Sequence, residues 1–240
     1  MLTLSGERLL AACEQAQCEH ALLRPIALLA ATLPEYERDR LLNLPMSQRN
    51  RLLLQLHRIS FGPTLDGYAD CPQCGAGMEL SLSIGELLES LSDDPTTTWI
   101  EWMDAAQPRS LRQVTTADLL ASTYLADGAL AEEHVLRRCL GMDSSSNQAL
   151  SDESWQRARA FFDRLHADSE LRCALLCPEC QHEAMWDVDL GDFIWRKAHH
   201  AARRLVVDIH TLAMHYGWRE SDIAGMSPAR RDAYLELLSA

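Results

Sequence analysis

No stretch of the sequence approaches the roughly 20 consecutive apolar residues that span a bilayer. Its start, MLTLSGERLLAACEQAQ, also lacks the basic residues and unbroken apolar run of a secretion signal. The chain is therefore expected in the cytosol, away from membranes. An excess of positive charge is missing too: 22 Lys and Arg stand against 35 Asp and Glu, a formal charge of −13. An extended phosphate backbone is repelled overall, which makes nucleic acid an unfavoured partner. The marks of catalysis are absent as well, with no H-E-x-x-H, no H-x-E paired with P-C-x-x-C, no G-x-S-x-G and no Walker loop. These gaps lead to the expectation of a chain that is not an enzyme and takes no small-molecule substrate.

What is present is enough apolar material, 47% of 240 residues, for one sizeable core or two small ones. The N-terminal segment, 1–62, reads as helix. In RNRLLLQLHRI, Leu52, Leu53, Leu56 and Ile59 recur at three-to-four spacing and predict one buried stripe, with Ser47 as its N-cap. From Gly62 the period changes. Gly62, Pro63 and Gly67 punctuate the chain, and Met78, Leu80, Leu82 and Ile84 alternate, so a β-hairpin and a short helix over Leu87–Leu91 are expected in segment 63–92. SDDPTTT reads as a turn-rich connector.

Segment 93–169 reads as a mostly helical insertion. It has a possible strand at TTTWIEWM, helices at TTADLLASTYLADG and AEEHVLRRCLG, and a third helix after the polar loop MDSSSNQALSDES. Thr115 or Thr116 marks a helix start and Gly141 a stop. Segment 170–192 repeats the hairpin order of events. Segment 193–240 holds a long helix, about Ile194 to Tyr216, with a seam through Ile194, Ala198, Ala202, Leu205, Ile209, Leu212 and Tyr216, a stop at Gly217, and a last helix from Ser227-Pro228. The expected class is α+β, predominantly α-helical.

Eight cysteines without a secretion signal point to metal or redox chemistry more than to disulfides. Four of them form two C-P-x-C pairs, Cys71/Cys74 and Cys177/Cys180, each between two alternating runs. Two intervening residues let both sulfurs of a pair face one ion, and proline after the first Cys stiffens the turn. Together the pairs supply the four thiolates of a structural Zn2+ site, a closed set with no open position for substrate. The pairs lie about 100 residues apart, against the roughly 15–20 of a compact ribbon, so the zinc ribbon is split by the insertion.

Iron in a rubredoxin-like site uses the same ligands, and His182 could replace one sulfur. A thioredoxin-like redox motif requires a βαβ context that neither pair has. Cys13, Cys18, Cys139 and Cys173 sit in apolar patterns and are expected to be buried, and Trp186 and Trp195 to be packing aromatics. The basic stretch WRKAHHAARR places Arg196, His200 and Arg203 on one face of the long helix. A solvated face explains it, and so does an anionic partner.

Beyond composition and spacing, LPMSQRNRLLLQLHRISFGPTLDGYADCPQCG, LLCPECQHEAMWDVDLGDFIW and especially HYGWRESDIAGMSPARRDAYLELL resemble the T4-type bacteriophage baseplate family. The likeness is to its zinc-ribbon-containing members, described as baseplate hub assembly chaperones of contractile phage tails and phage-tail-like injection systems. Tyr216, Gly217, Trp218, Ile223, Ser227, Pro228, Arg231, Tyr234 and Leu235 carry the C-terminal match. It covers about residues 20–90 and 170–240, and the middle fits less well.

The resemblance implies a non-enzymatic, chaperone-like assembly factor with baseplate hub or tape-measure proteins as partners. It carries over no catalytic residue, and it carries over Cys71, Cys74, Cys177 and Cys180 as zinc ligands. The alternatives are a zinc-ribbon nucleic-acid-binding regulator and a permanent structural component of the baseplate.

Overall fold

A computed structural model of the chain describes residues 1–90, 98–104, 107–142, 150–167 and 171–239. The chain opens with helices α1 (Gly6–Gln17), α2 (Arg24–Thr32), α3 (Arg38–Leu42) and α4 (Met46–Phe61). The hairpin β1 (Thr64–Asp70) and β2 (Gly77–Ser83) leads into α5 (Ile84–Ser90). A second hairpin, β3 (Trp99–Asp104) and β4 (Gln107–Arg112), precedes α6 (Thr116–Leu120), α7 (Gly128–Cys139) and α8 (Asp152–Ala167). The third, β5 (Leu171–Leu176) and β6 (Glu183–Val188), runs into α9 (Leu190–Tyr216), α10 (Glu220–Ala224) and α11 (Pro228–Ser239). Each hairpin is a separate two-stranded antiparallel sheet. The architecture is α+β and mainly helical, as expected.

The chain forms two compact units, Met1–Tyr36 with Gly191–Ala240, and Glu37–Leu190. In the first, α1 buries Leu9, Ala12, Cys13 and Ala16 at three-to-four spacing, and it packs on α2 and α10. Gly6 permits that approach. Its φ is +55°, and a Cβ there would stand 2.5 Å from the Ala224 carbonyl oxygen. Along α9, Ile194, Ala198, Ala202, Leu205, Ile209 and Leu212 are all buried. An ion pair between Asp208 and Arg231 at 3.1 Å joins α9 to α11. So does an aromatic cluster in which Trp218 stacks on Tyr216 at 4.5 Å and meets Tyr234 edge-on at 4.8 Å. The seam ends there: Tyr216 is 37% exposed, and what cover its ring has includes Trp218.

In the second unit, Leu111, Val114, Val135, Leu136, Cys139, Ala158 and Leu165 form a core between β4, α7 and α8. Asp118 anchors it. Its carboxylate accepts from both Arg112 and Arg138, and from the backbone N–H and hydroxyl of Thr115, while the Thr115 hydroxyl accepts from the Asp118 N–H. This capping box fixes the start of α6 at Thr115. Gln113 ties three segments together, accepting from Ser47 and donating to the Leu165 carbonyl at 3.0 Å. His166 accepts the Val114 N–H at Nε2, 2.8 Å away. Its proton therefore sits on Nδ1, which donates to the Phe162 carbonyl at 2.7 Å.

Several expectations need correcting. Ser47 is not the N-cap of α4: Pro45 holds that position, and Ser47 is turned to Gln113. The buried stripe of α4 runs through Arg49, Asn50, Leu53, Leu54, Leu56 and His57, leaving Leu52 half-buried and Ile59 exposed. The helix expected over TTADLLASTYLADG stops at Leu120, because the hydroxyls of Ser122 and Thr123 bond back to the Asp118 and Leu120 carbonyls. β4 and α10 form where no element was expected. Cys18 is exposed because it lies just past the last turn of α1, whereas Cys13, Cys139 and Cys173 are buried. Residues 91–97 and 143–149, which carry most of the predicted connector and polar loop, lie outside the described residues.

Candidate metal centre

The first and third hairpins carry the cysteine pairs, and their turns are built alike. In β1–β2 the register ends at Asp70↔Gly77, and in β5–β6 at Leu176↔Glu183. The first cysteine of each pair then closes the same loop. The Cys71 N–H donates to the Ala76 carbonyl at 2.8 Å and the Gly75 N–H to the Cys71 carbonyl at 2.8 Å. The Cys177 N–H donates to the His182 carbonyl at 2.9 Å and the Gln181 N–H to the Cys177 carbonyl at 3.0 Å. The fourth residue after each leading cysteine turns left-handed, Gly75 with φ 74° and Gln181 with φ 60°. Glycine is free to do this, whereas a residue with a Cβ is strained there.

The two turns meet. Cys71, Cys74, Cys177 and Cys180 place their sulfurs within 4.8 Å of one another. Cys71 Sγ lies 3.7 Å from Cys180 Sγ, and Cys74 Sγ lies 3.6 Å from Cys177 Sγ. These separations are far beyond the roughly 2.05 Å of a disulfide, and all eight cysteines are free thiols. They fit the edge of a sulfur tetrahedron around one ion: bonds of about 2.3 Å imply S···S distances of about 3.8 Å. The donor set is therefore compatible with a metal site. His182 contributes its backbone carbonyl to the turn, and its ring is not part of the cluster.

The leading cysteines, Cys71 and Cys177, are buried, with Met78, Ala69, Ala76, Leu175 and Trp186 packed around them. Cys74 is exposed and Cys180 half-buried, so the cluster has an apolar floor and one open side. Trp186 is a packing aromatic here, as expected. Trp195, buried on α9, stacks on His199 and lies under the Arg24 guanidinium.

Cys71, Cys74 and Cys180 differ in how readily they lose a proton. The Cys74 backbone N–H, aided by that of Gln73 and by the Cys177 and Cys180 sulfurs, holds Cys71 down to about 6 against its burial. At Cys180 the His182 N–H favours the thiolate, but burial and the three other sulfurs outweigh it and push the thiol up to about 12. Cys74 is also raised: burial and the sulfurs of Cys177 and Cys71 overcome the Ala76 N–H and the Cys180 sulfur. A metal ion binding here must displace protons from the raised thiols, so its hold weakens as pH falls.

No family model matches the chain, and neither a curated protein nor a solved structure matches it. No helix among the described residues is long and apolar enough to cross a membrane.

Proposed function

We propose that the four sulfurs hold one structural Zn2+, making the first and third hairpins the halves of a split zinc ribbon. On this reading the chain is a non-enzymatic, chaperone-like assembly factor for the baseplate hub or tape-measure region of a contractile phage tail or phage-tail-like injection system, working in the bacterial cytosol. The observation that carries the first half is the meeting of sulfurs 103 positions apart in sequence at 3.6 Å. Four thiolates saturate a tetrahedral ion and leave no position for water or substrate, which favours a staple over a reactive centre.

An isolated two-stranded hairpin is marginal in water. Metal binding worth on the order of 10–16 kcal/mol in small zinc sites is ample to fix two of them together. The second half is supported by the resemblance of the C-terminal stretch His215–Leu238 to the baseplate family. Its Tyr216, Trp218, Tyr234 and Arg231 are the residues that fasten α11 to α9.

Co-expression with the hub and tape-measure proteins of the same tail cluster, followed by affinity capture, tests the assembly role. Capture of one of them supports it, and consistent failure to retain any tail component removes it.

A further inference from the structure

α9 carries a second row of side chains, opposite the buried one. Arg196, His200, Arg203, Val207, His210 and Met214 follow one another at spacings of four, three, four, three and four, the interval that keeps a row on one side of a helix for a partner helix to meet. All six are exposed, Val207 at 62% and Met214 at 72%, with Val206 beside them at 54%. The row has two halves. Arg196 and Arg203, with His200 between them and Lys197 and Arg204 on one flank, make its first part basic, and Val207 and Met214, with His210 between them and Val206 on the other flank, make the rest mostly apolar.

Among the described residues only part of this charge is paired. Asp192 pairs with Arg196 at 2.6 Å, and Asp208 is turned to Arg231. No acidic residue lies between Asp192 and Asp208, and among the described residues Lys197, Arg203 and Arg204 make no ion pair. In a chain of net charge −13 this strip is a local patch of opposite sign, suited to an acidic partner surface.

From this charge pattern we infer that the outward row of α9 seats an amphipathic helix of a second protein. Its facing row carries carboxylates opposite Arg196–Arg204 and aliphatic side chains opposite Val206–Met214. The inference rests on reading the chain as a partner-binding scaffold. Groove-and-helix docking of this kind reads anchors at three- and four-residue intervals, and charges beside the apolar seam set register and direction. A nucleic acid meets the cations but leaves the Val–Met half unfilled, and the net charge repels it. A second copy fits badly in either orientation: parallel rows lay cations on cations, and antiparallel rows press cations onto Val207 and Met214.

The test uses the full-length, zinc-loaded protein and a fluorescent synthetic helix of about four heptads, with Glu along one half of a face and Leu along the other. A second peptide has Lys in place of Glu. Anisotropy is expected to show the acidic peptide bound at least about tenfold more tightly than the lysine peptide, with affinity falling as salt rises. Arg203→Glu with Arg204→Glu, and separately Val207→Asp with Met214→Asp, should each weaken it by about tenfold or more. All four side chains are exposed, so an unchanged far-UV circular dichroism spectrum is expected for both variants.

Equal binding of the two peptides, no binding of either, unaffected variants, tighter binding of a single-stranded oligonucleotide, or a dimer that Val207→Asp dissociates would each overturn the inference. A tail component captured equally well by wild type and by the Arg203/Arg204 variant would leave the assembly role standing and sink this one alone.

Discussion

Gln181 has φ 60°, and it is the only described residue other than glycine with a positive value. Its counterpart in the first turn is Gly75. A left-handed conformation costs a residue with a Cβ about 1 kcal/mol or more, so the two turns carry unequal strain for the same geometry. Gln181→Gly is therefore expected to raise the melting midpoint, by the equivalent of roughly 0.5–1 kcal/mol, and Gly75→Ala to lower it by a similar amount. Denaturant titration of the two variants checks both signs.

Asp118 makes a second residue-scale case. Burial alone would raise its carboxyl, but Arg112 and Thr115 bring it from its ordinary 3.8 down to about 2. A depressed carboxyl contributes stability that is fully present above its unfolded value and lost as pH falls through its folded one. Stability should therefore drop between about pH 4 and pH 2, by about 2 kcal/mol from this group. Asp118→Ala removes the shared carboxylate of Arg112 and Arg138, which are partly exposed and can turn to solvent, and should cost roughly 2–3 kcal/mol at neutral pH. An acid limb of the stability curve unchanged in Asp118→Ala would contradict this assignment.

At the scale of elements, the first and third hairpins depend on their turns, while β3–β4 is held by a packed core. Ile100 and Trp102 lie against the cluster built around Leu111, Val135 and Ala158, and the Asp118 network pins the strand that follows. Removing metal with a strong chelator under reducing conditions should therefore erase amide protection across Thr64–Ser83 and Leu171–Val188 first. Protection over α7 and the β4–α6 junction should persist, and hydrogen exchange followed by peptide mapping measures both. Protection lost uniformly over the second unit would mean that the cluster is not a separate fastening.

This division was half legible in the sequence. The alternation at Met78–Ile84, the doubled C-P-x-C and the seam of α9 each carry a period that survives in one dimension, and the hairpins, the cysteine cluster and the long helix follow from them. β4 does not announce itself. Gln107, Pro108, Arg109 and Ser110 show no alternation, and the strand exists because its partner β3 and the core beneath Leu111 hold it, with Pro108 tolerated in a two-stranded sheet. The stripe of α4 departs from the apolar period because it includes buried polar groups: Arg49 reaches across to Thr116 and bonds its neighbour Asn50, and His57 Nδ1 meets the Gly62 carbonyl where the helix ends, contacts that no periodicity reveals. The strain at Gln181 becomes visible only when the two turns are laid side by side, where a glycine in one marks the conformation of the other.

The whole molecule combines an acidic chain in two units, a cluster of four thiols drawn from two distant segments, and an exposed helical row of opposite charge. On the proposed reading, an assembly factor needs surfaces that hold their shape without chemistry, and a saturated metal staple would provide that where hairpins alone cannot. On the same reading, metal content is expected to govern partner capture. Cys177→Ser, which removes a buried ligand from the floor of the cluster, should abolish stoichiometric zinc and reduce retention of a tail component, whereas Cys18→Ser, at an exposed thiol outside the cluster, should leave both unchanged.

On the proposed reading, one ion joins Cys71, Cys74, Cys177 and Cys180. X-ray absorption spectroscopy of the purified protein, combined with elemental analysis, tests it most directly. The expected result is one zinc per chain with four sulfur neighbours at about 2.3 Å and no bound nitrogen or oxygen. A metal-free protein that keeps hairpin protection, or a zinc with mixed sulfur and oxygen ligands and an open position, would contradict it.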